Sequence, residues 1–368
     1  MTQKCVALFG RGDAPTDALR EYCAFLGEAL RAHDYRMEMA AVGWAEQGWA
    51  TALSELRQKA RDWRGVPVFL QYTALAWSER GFPGRVLRVI EMLRTAGARV
   101  GVVFHDVEPY RGSRIIDRLR RQAQLRVMRA LLRRADMAIF TVALDHVSWK
   151  PKPRDGVVFV AVGANFSDAA VSVETAREAR VDQAGRTIAV YGVTGGENGR
   201  SEIRTIVAAV RDSAKTITGL RLVVLGRNSE SSKQEFRHAL LDSGVELHVL
   251  GVLPPEQVAL ELMRTDLLLF VRGEISTRRG SAIAGISCGL PVICFAGAET
   301  AAPITEAGLA LYAPEKPSDL SRVLLTVLSD TRLRDELAAK SRMAFETYFS
   351  WKAIAVRYVE VLSHDSKR

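Results

Sequence analysis

The chain alternates short apolar runs with amphipathic stretches, and it does so in two successive series. This rhythm limits what the chain can fold into. In the first half, residues 5–10, 35–43, 66–72, 100–105, 137–141 and 157–163 read as buried strands, with helical patterns between them, as at 17–32 and 84–96. The second half repeats the scheme. Its strands are expected at 187–191, 220–225, 245–250, 267–271 and 291–295, and its helices near 201–214, 231–243, 255–263, 281–288 and 317–329. Strands that are apolar on both faces and separated by helices build parallel sheets covered on both sides. The expected class is therefore α/β, with two doubly wound, Rossmann-like domains whose ligands bind at the carboxyl ends of the strands. A length of 368 residues suits two such domains. The pattern divides the chain into a first domain at 1–166, a polar linker at 167–185, a second domain at 186–344, and a C-terminal helical segment at 345–368.

Composition excludes several classes. With 48% hydrophobic and 25% charged residues the chain is ordinary globular protein. No apolar run approaches the roughly 20 residues that a membrane span needs. Met1-Thr2-Gln3-Lys4 leads straight into a strand without a secretory pattern, and the four cysteines (Cys5, Cys23, Cys288, Cys294) lack metal-like spacing. They read as reduced core thiols, so a cytoplasmic setting is expected. The formal charge of +9 is unevenly placed. Residues 1–170 hold 26 lysines and arginines against 18 acids, which leaves 25 against 24 in the remainder. An acidic partner or surface is thus expected for the first half.

Two strand ends stand out there. The first gives Gly10-Arg11-Gly12-Asp13, the start of a dinucleotide fingerprint, but Pro15 occupies the third glycine's place and the second strand ends in Val42-Gly43 without an acid for a ribose. Nicotinamide binding is rejected, and Gly12 is kept as a point where a ligand can approach the backbone. The other strand runs through Val102, Val103 and Phe104 into His105-Asp106, which makes His105 a candidate catalytic group. The segment from Arg111 to Arg134 follows, with nine arginines and the single acid Asp117. Ile116, Leu119, Ala123, Val127 and Leu131 recur at helical spacing, so one apolar face and a basic remainder are expected. The basic face suits an anionic bilayer surface or a polyanionic acceptor. Nucleic acid is disfavoured, because neither interleaved aromatics nor a recognised motif accompanies the arginines.

In the second half, the strand at 187–191 ends in a glycine-rich loop containing Gly192, Gly195, Gly196 and Gly199 ahead of a helix. Backbone N–H groups in such loops cradle phosphate. The stretch from Val271 to Phe295 is another anion site in the making. A strand ends, Arg278-Arg279 follow, and Gly280-Ser281 opens a helix of small residues, with Ser281 able to cap it. The free N–H groups and dipole of a helix N-terminus favour negative charge, and guanidinium forks suit phosphate oxygens. At the C-terminus, Ser350 can cap a helix carrying Ile354, Tyr358 and Val361 on one face.

The second half resembles the nucleotide-sugar-binding domain of family four glycosyltransferases. The resemblance is carried by the glycine loop from Gly192 to Gly199, by Val224-Leu225-Gly226, by Leu250-Gly251-Val252-Leu253-Pro254, by the strand at 267–271 and by Ser287-Cys288-Gly289-Leu290-Pro291. Phe349-Ser350-Trp351 is similar to the family's closing helix, and Gly163-Ala164-Asn165-Phe166 to the exit from its first domain. The likeness implies the GT-B fold, two Rossmann-like domains facing across a cleft, with a C-terminal helix crossing back to the first. It also implies a retaining, metal-independent transfer of a hexosyl group from a nucleotide-diphosphate sugar, by front-face attack of the acceptor hydroxyl. No Asp-x-Asp pair is present, and no cofactor beyond the donor substrate is expected. The base and ribose would sit near Arg227, Leu253 and Glu274. The diphosphate would be held by Gly195, Gly196, Arg278, Arg279 and Ser281 and approached by Gly12, and His105 would meet the donor sugar or orient the acceptor. A saccharide or lipid-linked saccharide acceptor would bind the first domain at the inner membrane face, as in bacterial surface or exopolysaccharide synthesis.

The chain departs from that pattern in two places. Ser276 and Ala284 stand where the family carries glutamates, and Val193, Glu197 and Asn198 stand where it carries an arginine–lysine pair. Arg278 and Arg279 are the expected replacements for the lost cations. Two rival readings follow. One is a non-catalytic GT-B protein that binds a glycan or a partner. The other is a nucleotide-sugar 2-epimerase, which is disfavoured because His105 is the only histidine expected at the site.

Overall fold

The computed structural model describes residues 2–12, 17–172, 185–316 and 318–364. The expected position of Pro15, most of the linker and the start of the helix expected at 317 lie outside them. The chain divides into two compact units, one of Met1–Ala161 with Ile354–Arg368 and the other of Val162–Ala353. Each unit contains one six-stranded parallel sheet, as the alternating pattern requires.

In the first unit the strands are β1 (Gln3–Phe9), β2 (Tyr35–Ala41), β3 (Pro67–Tyr72), β4 (Arg99–Phe104), β5 (Met137–Phe140) and β6 (Val157–Phe159), in the order β2-β1-β3-β4-β5-β6. All six residues of β3 are buried, because helices cover both faces of the sheet. Leu8, Leu70, Tyr72, Trp77, Phe104 and Phe140 form the centre of one core. The C-terminal helix Trp351–His364 contributes to this unit. The Tyr358 hydroxyl is 2.9 Å from that of Tyr22, its ring meets Phe69 edge-on, and Arg99 donates to the Leu362 carbonyl at 3.2 Å. The Ser350 side chain accepts from the Ala353 N–H at 3.2 Å, as its position suggested.

The segment from Arg111 to Arg134 corrects the expected apolar stripe. The helix spans Ile115–Arg134, but its buried apolar side chains, Val127, Met128, Ala130, Leu131 and Leu132, all belong to its later turns. Ile116 and Leu119 are 45% and 59% exposed, and the preceding Ile115 is 80% exposed. The inward side of the first turns is polar instead. Asp117 accepts from the Arg114 N–H at 3.2 Å and pairs with Arg120 at 2.6 Å, while Gln124 donates to the Gly81 carbonyl and accepts from the Tyr110 N–H. Those side chains satisfy the helix start and fix its rotation, so the leading apolar residues face solvent among arginines.

In the second unit the strands are β7 (Arg186–Tyr191), β8 (Leu220–Leu225), β9 (Glu246–Gly251), β10 (Leu267–Leu269), β11 (Val292–Cys294) and β12 (Leu309–Leu311), in the order β12-β11-β10-β7-β8-β9. Strand β12, only three residues long, escaped the sequence reading, as did the helix Thr331–Ala344. Ile188, Leu222, Val224, Phe236, Leu269 and Ile293 anchor this unit's core. The chain moves outward from β7 through β8 to β9, then returns to the other side of β7 for β10. A switch point therefore lies between β7 and β10, where ligands of such sheets bind.

Candidate functional site

The loop after β7 forms one wall of that switch point. The helix Gly196–Ala214 starts five residues earlier than its apolar pattern indicated, which puts Gly195 at the N-cap and Gly196 in the first turn. The first N–H groups of such a helix have no partner within it and point outward. The loop itself is held from behind. Gly192 donates to the Leu225 carbonyl at 2.7 Å, Val193 to the Arg227 carbonyl at 3.0 Å, and Thr194 to a Glu202 carboxylate oxygen at 2.8 Å. Glycine is required at 192, where φ is +78° and an added Cβ would lie 2.4 Å from the Nη1 of Arg272.

The other wall is the end of β10. Val271, Arg272 and Gly273 line a cleft of about 470 Å³ together with Thr194, Asn198 and Tyr312. Arg272 was not singled out in the sequence, although the strand-Arg-Gly string that contains it was legible. It is half-buried, and no hydrogen bond or ion pair engages it among the described residues. Burial pulls its guanidinium below the ordinary arginine range, and the charge of Arg227 adds to this, while Glu202 and Tyr191 oppose it. Arg227 stands at the end of β8, and Leu253 follows the end of β9.

The adjacent arginines behave differently from one another. Arg278 makes a two-pronged pair with Glu299, Nε to Oε2 at 2.6 Å and Nη2 to Oε1 at 2.8 Å, and Ser276 donates to the same carboxylate at 3.3 Å. Burial alone would raise the Glu299 carboxyl, but the hydrogen bonds and charge of Arg278, with Arg279 and Ser276, hold it below the usual carboxylate range. Among the described residues the Arg279 side chain donates only to the Glu274 carbonyl, at 3.2 Å, and its Nη2 would lie 3.0 Å from a Cβ at Gly273. Burial, then the charge of Arg278, lowers its pKa. The helix begins at Gly280 with Arg279 at the N-cap, so Ser281 lies inside the first turn rather than capping it. Glu274 braces the loop after β11, its carboxylate accepting from the Glu299 N–H at 3.2 Å. Glu299 itself, 21 residues beyond Arg278, was beyond reach of sequence spacing. Ala284 is fully buried within the helix.

In the first unit, His105 follows β4, and its partner is not Asp106. Its Nε2 is 2.8 Å from the Oε1 of the buried Gln71, and the Tyr22 ring meets it edge-on at 5.2 Å. Asp106 instead accepts from the Ala74 N–H at 2.9 Å. Desolvation lowers the His105 pKa to about 4, so the imidazole is neutral at pH 7. The glycine turn after β1 is fixed by packing: an added Cβ at Gly10 would lie 2.1 Å from the Ala76 carbonyl oxygen, and at Gly12 2.9 Å from an Asp17 carboxylate oxygen. Among the described residues no cluster of three or more His, Cys, Asp or Glu could hold a metal ion, and no helix is long and apolar enough to cross a membrane.

No family model matches the chain, and no curated protein matches it in sequence. Solved structures do match. Sucrose-phosphate synthase from Thermosynechococcus elongatus aligns over 99% of both chains at 19% identity, with a TM-score of 0.73. HepE of Anabaena, in complex with UDP-glucose, covers 98% of this chain and 99% of its own at 16% identity and TM-score 0.65. A putative UDP-N-acetylglucosamine 2-epimerase from Listeria monocytogenes aligns over 100% of this chain and 98% of its own at 12% identity and TM-score 0.64. At such identities the likeness establishes the fold. The chain has the two Rossmann-like units of the GT-B class.

Proposed function

We propose that the protein is a glycosyltransferase that takes a hexosyl group from a nucleotide-diphosphate sugar. The observation that carries this reading is the switch-point cleft of the second unit. The loop after β7, the first turns of the helix that it opens and the half-buried Arg272 guanidinium converge there, a combination suited to a diphosphate. The leaving group of such a transfer is itself a diphosphate, so positive charge at this place stabilises the transition state directly. UDP-glucose on HepE and sucrose-phosphate synthase among the similar structures support the reading. The base and ribose are assigned to the side of Arg227 and Leu253, and the diphosphate to Gly195 and Gly196. Retention of configuration and metal independence complete the proposal, the latter because the sequence offers no Asp-x-Asp pair. Neutral His105 is assigned to hydrogen bonding with the sugar or the acceptor. It cannot act as a cation at pH 7.

The acceptor is proposed to be a saccharide or lipid-linked saccharide. The first turns of the Ile115–Arg134 helix support an anionic bilayer surface as the place where it is met. Exposed Ile115, Ile116 and Leu119 stand among arginines, and the one acid, Asp117, is already paired with Arg120. Flotation with anionic and with neutral liposomes tests this, and equal binding to both refutes it.

A panel of UDP-, GDP- and TDP-sugars, read first by thermal shift and then by product analysis, tests the central reading. Transfer or donor hydrolysis is expected. Interconversion of the free donor's 2-epimers would favour the epimerase, to which the Listeria structure lends weight. Nucleotide binding without turnover would favour a non-catalytic binder.

A further inference from the structure

The anion-holding residues of the proposed donor site can be named more closely, and this inference rests on that reading. Three arginines stand between β10 and the next helix, and they differ in what they are free to do. Arg278 is engaged twice by Glu299, at 2.6 and 2.8 Å, in a parallel two-bond pair whose carboxylate also receives Ser276. Such a pair is locally neutral and fixed in direction. Arg272 and Arg279 have no carboxylate within ion-pair distance among the described residues. Arg279 has a single bond to a neutral carbonyl, and Arg272 has none. Their guanidinium groups lie against glycines on the two sides of the switch point, Arg272 against Gly192 and Arg279 against Gly273. Neither glycine has room for a side chain there. Two half-buried like charges that sense one another are unfavourable unless an anion joins them. The cleft that Arg272 lines opens beside the first turn of the Gly196–Ala214 helix, which adds its own preference for anions.

We propose that Arg272 and Arg279 hold the donor diphosphate, and that Glu299 withdraws Arg278 into a structural pair. The cations missing from the glycine loop are thereby supplied from across the switch point, by the strand end at Arg272. Removing Arg272 removes a partly desolvated charge that has no ion-pair partner among the described residues, so its variant is expected to fold.

The test is calorimetric titration of the full-length protein and of Arg272→Gln, Arg278→Gln and Arg279→Gln. The probes are UDP, GDP, TDP, the parent nucleosides and inorganic pyrophosphate, with a melting temperature for each protein. Arg272→Gln and Arg279→Gln should each weaken diphosphate binding tenfold or more, leave nucleoside binding unchanged and melt no lower than wild type. Arg278→Gln should melt lower and bind within threefold of wild type. Diphosphate affinity indifferent to Arg272 overturns the inference while leaving the donor reading intact. Pyrophosphate binding that depends on Arg272, without binding of any nucleotide, keeps the inference and sinks the donor reading. A wild-type protein that binds none of the probes overturns both.

Discussion

Glu299→Gln isolates the charge of the Arg278 pair while keeping its shape. The carboxylate accepts two hydrogen bonds from one guanidinium, and its side chain is 7% exposed while that of Arg278 is 24% exposed. A hydrogen bond to a charged group contributes about 1.5–3 kcal/mol, against about 0.5–1.5 kcal/mol for a neutral one. Glutamine has a single acceptor oxygen, so one of the two bonds to the guanidinium is lost while the other persists, which should cost about 2 kcal/mol, with the remaining exposure of Arg278 keeping the loss below the roughly 3–5 kcal/mol of a fully buried broken pair. For a unit of this size, about 2–4 °C is lost per kcal/mol, so the melting temperature should fall by about 4–8 °C at pH 7. The pH dependence supplies a second check. The folded-state pKa of Glu299 lies below its unfolded value, so its contribution is fully present above the ordinary carboxylate pKa. It is lost as pH falls through the depressed folded value. The gap between wild type and Glu299→Gln should therefore be constant from pH 6 to 8 and should close toward strongly acid pH. Scanning calorimetry across that range measures both. A variant that melts within a degree of wild type at pH 7, or a gap that widens in acid, refutes the argument.

Further outcomes follow from the same contacts. His105, lowered to about 4 against an ordinary 6.5, binds fewer protons when folded than unfolded, so its contribution to stability rises with pH between those values and is complete above 6.5; His105→Gln should flatten that part of the stability-pH curve. Activity of the wild type should likewise show no step from His105 between pH 6 and 8. Gly192→Ala places a methyl group against Arg272 at a φ of +78°, and it should weaken diphosphate binding at least tenfold in titration while nucleoside binding persists. Replacing Ile115, Ile116 and Leu119 together with serine should abolish flotation on anionic liposomes without lowering the melting temperature, because all three side chains are solvent-exposed.

The class of fold was legible because parallel sheets impose two signals at once, apolar runs of strand length and helices between them. Leu220–Leu225 and Pro255–Met263 fall where the pattern put them. What escaped was either too short or too polar to show a period. Strand β12 has three residues, and the Thr331–Ala344 helix carries charges over most of its surface. Spacing places Ile116 and Leu119 on one face with Val127 and Leu131, but it does not report which way each turn of that face points. That choice was made by Asp117 and Gln124, whose partners Tyr110 and Gly81 belong to other segments. At the site the same limit applies. The glycine loop and the Arg-Arg string could be read as local chemistry, whereas the neutralisation of Arg278 depends on a glutamate that only the loop after β11 brings near.

That glutamate also changes what the departures at Ser276 and Ala284 mean. The resemblance expects carboxylates at both positions. Ala284 is fully buried in its helix. At Ser276 a carboxylate is present after all, because Glu299 reaches the serine hydroxyl. Its two oxygens are already occupied by Arg278, however, and its pKa is driven down rather than up. A carboxylate in that state is a poor proton donor and has little capacity left to accept from a ligand hydroxyl. Its chemical effect is to remove one positive charge from the 270s and to fix the loop through Arg278. Among the described residues, Arg272 and Arg279 have no carboxylate within ion-pair distance, and Glu202, Glu274 and Glu299 act on them only through longer-range charge. The adjacent arginines thus have different partners: Arg278 is engaged by the Glu299 carboxylate, whereas the Arg279 side chain meets a neutral carbonyl.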